Sequence, residues 1–420
     1  MRPRPISAAP AAPLLLLLPL LLSPPPAACV PVVFDNTAPV LDVRGAIVDA
    51  HDQSVQRFRP GGPYIRHAVA YGGCLEPAGT GCDRTNVSCG FMANHSIDVW
   101  SSPDLSSGSW TKVATAVAPA QRPPGVVFRP SAVYNENTGA VVLIWNFMSN
   151  GYPAAVSASG DPAGPFVFAT SDIRPTFSGE SDFALFVDPS ERGAGYIIYS
   201  AGFQIHIERL NDDFLGVCGA PLNYTFPEYF VEAPALFERK GTYYALFSWC
   251  CCFCKQGSGI IVHTAPHPLG PWTAQPVGPD YERGDVACVA KNASGGAAPA
   301  TAAEAREGKE EGVGESASSS AEAASQRRLG PLGTDPTPGL GCEYKNASET
   351  SSTRAQQNSV WLVDTADGSV EYLWVGDRWQ QAPDGVKGHD PQTVLRLSFD
   401  DATGAVGLVR WVDNFTLDVV

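Results

Sequence analysis

Five stretches of the chain pack aromatic and β-branched residues densely, and a glycine-led turn opens each one. They are GPYIRHAVAYG from Gly62, GAVVLIWNFM from Gly139, GAGYIIYSAG from Gly193, GTYYALFSW from Gly241 and GSVEYLWVGDRW from Gly368. Short apolar runs bounded by turn residues predict buried strands. Further strands follow, as in IDVWSSPDLSSGSW from Ile97, AVSASGDPAGPF from Ala155, IHIERLNDDFLG from Ile205 and IIVHTAPHPLGPW from Ile260. A late aromatic residue often closes the unit. The starts lie 77, 54, 48 and 127 residues apart. A unit of roughly 50 to 60 residues with several strands predicts propeller blades, each covering an apolar face of its neighbour. Five units give an all-β, five-bladed β-propeller. The alternative is a β-sandwich with chance similarity among its strands. No helical periodicity competes.

The long last gap has a compositional cause. From about Asn292 to Arg354 the chain is rich in Ala, Ser, Glu and Gly, with no aromatic residue until Tyr344. Such a segment cannot offset its ordering entropy and is expected to be a long disordered insertion. Cys288 and Cys342 flank most of it, so a disulfide could close its base.

The N-terminus reads as an address. Arg2 and Arg4 precede the apolar run Leu14 to Leu22, broken only by Pro19, and Pro26-Ala27-Ala28 follows. That order predicts a secretory signal peptide over 1–28 and a mature domain over 29–420. The alternative is a disordered apolar leader or an uncleaved anchor. The run is too short to span a bilayer. Six Asn-X-Ser/Thr sequons, at Asn86, Asn94, Asn223, Asn292, Asn346 and Asn414, and 11 cysteines fit an extracellular glycoprotein with disulfides. The cysteines crowd at 74–89 and 250–254; a zinc site in the second group is the functional alternative to disulfides. The expectation is a secreted monomer, with no membrane contact after the signal is removed.

Charge narrows the partners. There are 43 acidic and 28 basic side chains, a formal charge of −15. Phosphate binding needs clustered Lys and Arg, so nucleic acid is an unsuitable partner. No Gly-rich phosphate loop, Ser-His-Asp signature or HExxH motif is present.

A propeller gathers strands around an axis, where residues far apart in sequence can converge. Three carboxylates precede the glycine-led strands: Asp52 in DAHDQSVQ, Asp182 in SGESDFALFVD and Glu232 in YFVEAPALFERKGTYY. One such acid caps a turn more often than it lines a pocket. Three at equivalent blade positions favour a pocket. Carboxylates in one cavity repel, which splits their pKa values. Glycoside hydrolysis needs such a split, with one carboxyl protonated and another ionised.

These blocks resemble glycoside hydrolase family 43, the five-bladed propeller hydrolases. HDQSV at His51 matches the family's Asp-Pro-Ser-Ile/Val motif, with Gln53 in place of Pro. SDFALFVD matches its Arg-Asp-x-x-x-Phe-x-Asp pattern, with Ser181 in place of Arg. EAPALFERKGTYYALFS is similar to its Glu-Ala/Gly-Pro…Gly-x-Tyr-Tyr block. The resemblance implies Asp52 as general base, Asp182 as the residue that tunes and orients the acid, and Glu232 as general acid. It implies inversion, and burial with the Asp182 charge would raise the Glu232 pKa. QQNSVWLV at Gln356, GDRWQQAPDGVKGHDPQTVLRLSF at Gly376 and WVDNFTLDV at Trp411 resemble the exo-β-1,3-galactanase branch. That branch often has Gly at the Asp52 position and is thought to place water with a Gln, here Gln356 or Gln357. It carries a Glu before an Arg-Pro pair, where this chain has Phe128 before Arg129 and Pro130.

The expected substrate is a polysaccharide or oligosaccharide, a β-1,3-galactan or an arabinose- or xylose-containing chain. Trp145, Trp249, Trp374 and Trp379 are candidates to stack on sugars or to fill the core. Asp377 and Arg378 either bind hydroxyls or pair with each other. His51 and His389 could line the axis. No cofactor is required and no metal ligands are assigned, although some relatives hold a structural calcium. A noncatalytic carbohydrate-binding propeller and a retaining furanosidase stay open as alternatives.

Overall fold

The structure is a computed structural model that describes residues 30–75, 95–123, 125–147, 151–229, 231–249, 257–275, 286–291, 297–298, 340–344 and 353–420. Residues 1–29, where a signal peptide is expected, Cys82, Cys89, the 250–254 cysteines, most of the 292–354 segment and the sequons at Asn86, Asn94, Asn292 and Asn346 lie outside these residues.

Five antiparallel sheets form the blades. Blade 1 runs His51–Arg57, Tyr64–Ala70, Ser96–Ser102 and Thr111–Val117. Blade 2 runs Val127–Asn135, Ala140–Phe147, Ala154–Ser157 and Val167–Thr170. Blade 3 runs Glu180–Val187, Gly195–Ala201, Gln204–Arg209 and Asn223–Thr225. Blade 4 runs Val231–Arg239, Thr242–Trp249, Ile261–Ala265 and Thr273–Ala274. Blade 5 shows Gln356–Asp364, Val370–Asp377 and Gln392–Arg396 among the described residues. The first strand of each blade touches the first strand of the next, and blade 5 closes onto blade 1. The described residues contain two short 3-10 turns and no α-helix.

Each glycine-led stretch is the second strand of its blade. Ala140–Phe147 and Gly195–Ala201 are buried along their whole length, so they read as continuous apolar runs. The turn into blade 4's second strand shows why glycine leads it. Lys240 and Gly241 have φ of 51° and 80°, a two-residue hairpin geometry that glycine adopts without steric cost. Five apolar clusters fill the five junctions between neighbouring blades.

The ring is fastened by the first and last described strands. Val30–Asp35 pairs antiparallel with Asn414–Val419. Val32, Phe34, Leu417 and Val419 from this clasp join Tyr64, Trp110, Trp361 and Leu373 in the cluster between blades 1 and 5. Asn36 reinforces it by donating to the carbonyls of Val394 and Val412 and accepting from the Val394 amide. A separate small sheet lies in the inserted region, where the backbone register sets Cys288 opposite Cys342.

The innermost strands share one irregularity. In each, pairing with the second strand shifts near the beginning, between His51 and Ser54, Phe128 and Ser131, Glu180 and Phe183, Glu232 and Ala235, and Gln357 and Ser359. A bulge re-aims side chains. Here five bulges stand at the same end of the ring. Since the clasp closes the ring by packing, Leu417→Ala is expected to cost about 2–5 kcal/mol in denaturant unfolding. The same change at half-exposed Leu362 is expected to cost under about 1 kcal/mol.

Candidate active site

The bulges aim polar groups at the axis, and one cation organises them. Arg129, 3% exposed, leaves its strand with φ of 51°. Its Nη2 donates to Asp182 Oδ2 at 3.0 Å and to the Gln357 carbonyl at 2.9 Å. Its Nη1 donates to the Asn358 carbonyl at 2.9 Å, and its Nε stands 3.5 Å from Asp52 Oδ1. One guanidinium thus joins blades 1, 2, 3 and 5. Burial disfavours its charge, but the Asp182, Asp52, Asp377 and Glu232 carboxylates outweigh that and hold its pKa above the ordinary value.

Asp52 occupies the blade 1 bulge with φ of 49°. Its backbone N–H donates to Asp377 Oδ2 at 2.9 Å. Burial pushes its carboxyl pKa up to about 7; the Arg129 charge opposes this, and the Asp377 and Asp182 charges add to it. Asp377 is not placed to meet a ligand. It is 1% exposed and also accepts from Asn358 Nδ2 at 2.6 Å and Gln392 Nε2 at 3.2 Å. His51 faces it, with Nδ1 3.5 Å from Asp377 Oδ1. Burial would raise the Asp377 pKa, but His51, the Asp52 amide and Asn358 hold it below the usual carboxylate range. Burial would lower the His51 pKa, but Asp377 and Asp49 raise it overall. The two form an internal ion pair that fixes the Asp52 backbone.

Asp182 is held from behind. The Ser181 carbonyl accepts from Asn146 Nδ2 at 2.7 Å and from the Tyr152 hydroxyl at 2.9 Å. Glu232 is half-buried, and its Oε1 accepts from Gln356 Nε2 at 2.8 Å. Gln356 Oε1 in turn accepts from the Trp379 indole N–H at 2.8 Å. Indole nitrogen only donates, so the amide orientation is fixed and its NH2 faces Glu232. The buried Lys387 ammonium lies 4.1 Å from the Trp379 ring centre, which secures the indole.

The register corrects one expectation. The three carboxylates lie on the innermost strands, ahead of the glycine-led ones, but not at equivalent positions. Glu232 is the last residue paired before its bulge, opposite Ser248, whereas Asp52 and Asp182 lie inside theirs. The positions matching Glu232 are His51 in blade 1 and Phe128 in blade 2.

The other candidates separate. Gln356 meets Glu232. Gln357 is fully buried, donating to the Ala233 and Leu246 carbonyls and accepting from Trp374. Trp145 and Trp374 lie in the core, and Trp249 packs partly buried against blades 3 and 4. Arg378 does not pair with Asp377. It reaches Gln381 Oε1 and the Asn36 carbonyl, and its guanidinium lies 5.1 Å from the Trp411 ring centre. His389 lies off the axis, its Nδ1 2.7 Å from Asp384. Among the described residues no group of three or more His, Cys, Asp or Glu side chains is arranged to hold a metal.

Sequence reasoning did not single out Arg129 or Asn358 as site residues. A signal existed for the first. Asp52-Gln53-Ser54, Arg129-Pro130-Ser131 and Ala233-Pro234-Ala235 each place two unpaired residues before pairing resumes. An axial cavity of about 520 Å³ runs on from Asp52, Arg129 and Asn358 toward Glu136, Glu238 and Asp364 at the far end.

Solved structures share this architecture. A family 43 β-1,3-galactosidase with galactodeoxynojirimycin superposes with a TM-score of 0.57 at 17% identity, covering 90% of this chain and 99% of that one. The chain has the fold of glycoside hydrolase family 43. An exo-β-1,3-galactanase from Clostridium thermocellum shares the family 43 fold with this chain at a TM-score of 0.57 and 18% identity, over 92% of this chain and 67% of that one. One from Phanerochaete chrysosporium with β-1,3-galactotriose gives 0.57 and 15%, over 91% and 68%. No family model matches the sequence. A curated relative, a β-D-galactofuranosidase from Aspergillus niger, is 26% identical over 196 residues, 43% of this chain. The match spans 56% of that relative's length.

The raised Asp52 pKa has a stability consequence. The folded state holds the Asp52 proton up to about pH 7, whereas an unfolded Asp releases it near 3.9. The stabilisation is full at low pH and is lost as pH rises through 7. Asp52→Asn is therefore expected to gain on the order of 2–4 kcal/mol relative to the parent between pH 5 and pH 8. Urea unfolding at both pH values checks this, and an unchanged difference contradicts it.

Proposed function

We propose that this chain is a secreted glycoside hydrolase that cleaves a β-1,3-galactan, or an arabinose- or xylose-containing chain, by single displacement with inversion. One observation carries the reading: Asp52 and Asp182 meet on the buried Arg129, with Glu232 close enough to act on the same charge. The resemblance assigns the roles. Asp52, ionised above about pH 7, takes a proton from water as its oxygen attacks the anomeric carbon. Glu232 gives a proton to the departing glycosidic oxygen. The Gln356 amide donates to Oε1, which stabilises the carboxylate once the proton has gone. Arg129 orients Asp182 and Asp52. The galactan preference draws on the structural neighbours, which are β-1,3-galactosidases and galactanases. A second reading, terminal galactofuranose, is favoured by the 26% identical Aspergillus niger relative. Secretion is supported by the leader sequence and by a disulfide at Cys74.

The test is incubation of purified protein with β-1,3-galactan, arabinan, xylan and a β-galactofuranoside, with proton NMR of the first sugar released. The α-anomer is expected first from a β-linked substrate, and first appearance of the β-anomer would show retention instead. No release from any of them would favour a binding propeller. Glu232→Ala is expected to lose about 10²–10⁴-fold on natural linkages and far less on aryl glycosides, whose leaving groups need little protonation. Equal loss on both substrates, in a folded variant, would sink the acid assignment.

A further inference from the structure

The hairpin between the second and third strands of blade 3 is built against its sequence. Ala201 pairs with Gln204, so Gly202 and Phe203 are the two turn residues, with φ of 55° and 64°. Turns of this geometry strongly favour Gly, Asn or Asp. A bulky aromatic residue with positive φ is an outlier, and such strain persists where the surroundings hold it. The hairpin lies at the bulged end of the ring, because Ala201 pairs with Glu180 at the start of blade 3's inner strand.

Two contacts tie Phe203 to the segment that leads into the candidate acid. Its carbonyl accepts the N–H of Val231, the residue before Glu232, at 3.1 Å. Its ring meets Tyr229 edge to face, with centroids 6.0 Å apart. Tyr229 is 52% exposed, although it is a large aromatic residue. Position in the blade sets the direction. Inner strands lie nearest the axis, where Asp52 and Arg129 stand, and a hairpin between second and third strands lies farther out. The two rings therefore stand farther from the axis than Asp52 and Arg129, beside the segment that leads into Glu232. If the sugar being cleaved lies between Asp52 and Glu232, the departing sugar extends toward these rings. The C–H-rich face of a pyranose packs on aromatic carbon, and a tyrosine hydroxyl adds a polar handle.

We propose that Phe203 and Tyr229 form an aromatic subsite for the sugar on the leaving side of the scissile bond. This deepens the hydrolase reading and rests on it for the direction of the chain. Titration calorimetry tests it in a Glu232→Gln background, which prevents turnover, with β-1,3-galactotriose and with galactose. Phe203→Asn, whose side chain tolerates the turn, and Tyr229→Ala are each expected to weaken galactotriose binding about tenfold. Galactose, which fills only the axial position, is expected to lose much less. Phe203→Asn is also expected to melt no earlier than its parent. Unchanged galactotriose affinity in the folded variants overturns the proposal. So does an equal loss for galactose, or absence of galactotriose binding in the parent. Failure of the hydrolase reading shows separately, as wild-type protein that binds galactotriose and releases no sugar.

Discussion

The site depends on one buried positive charge. Without Arg129, Asp52 and Asp182 would lose the guanidinium that lies between them. Its two terminal nitrogens donate to Asp182 and to the Gln357 and Asn358 carbonyls while Nε faces Asp52, a task suited to the fixed fork of guanidinium. Because those partners belong to three other blades, the electrostatics of the site and the closure of the ring at this end are one problem. Breaking a buried charge cluster leaves an uncompensated ion, which is far costlier than losing a surface pair.

Around that hub, two supports act on the two proposed reacting groups. The His51–Asp377 pair holds the Asp52 backbone, and Lys387, Trp379 and Gln356 hold Glu232. Both supports draw on the blade 5 segment from 377 to 392. Environment separates the carboxylates: Asp52 is buried among other acids and raised, while Asp377 has a histidine and three donors and is lowered. The same residue type takes opposite protonation behaviour within one hydrogen-bond network.

The fold was largely legible in the sequence. Gly139 and Gly193 lead into strands buried on both faces, and such strands must be apolar throughout. The inner strands were harder to see. VEAPALFER and HDQSVQR mix polar residues with apolar ones because one end lines the axis and a bulge breaks their alternation. Asp52, Asp182 and Glu232 stand out in the sequence as acids ahead of the glycine-led strands, but their register does not. Adjacency in sequence also misled at Asp377 and Arg378. Neighbours along an extended chain point to opposite faces, so Asp377 turns inward while Arg378 reaches Asn36 and Gln381. Gln356 and Gln357 divide in the same way, one to Glu232 and the other into the core. The Arg129 hub was hidden because its partners come from segments up to 229 residues away.

Burial raises the Asp52 pKa, and the Arg129 charge holds it down against the neighbouring carboxylates. The Asp52 titration can be followed by carbon NMR of aspartate-labelled protein, with the resonance assigned by its loss in Asp52→Asn. The midpoint is expected near pH 7 and higher in Arg129→Gln, where the lowering charge is gone. A midpoint near the ordinary aspartate value, or one indifferent to Arg129, would contradict that expectation.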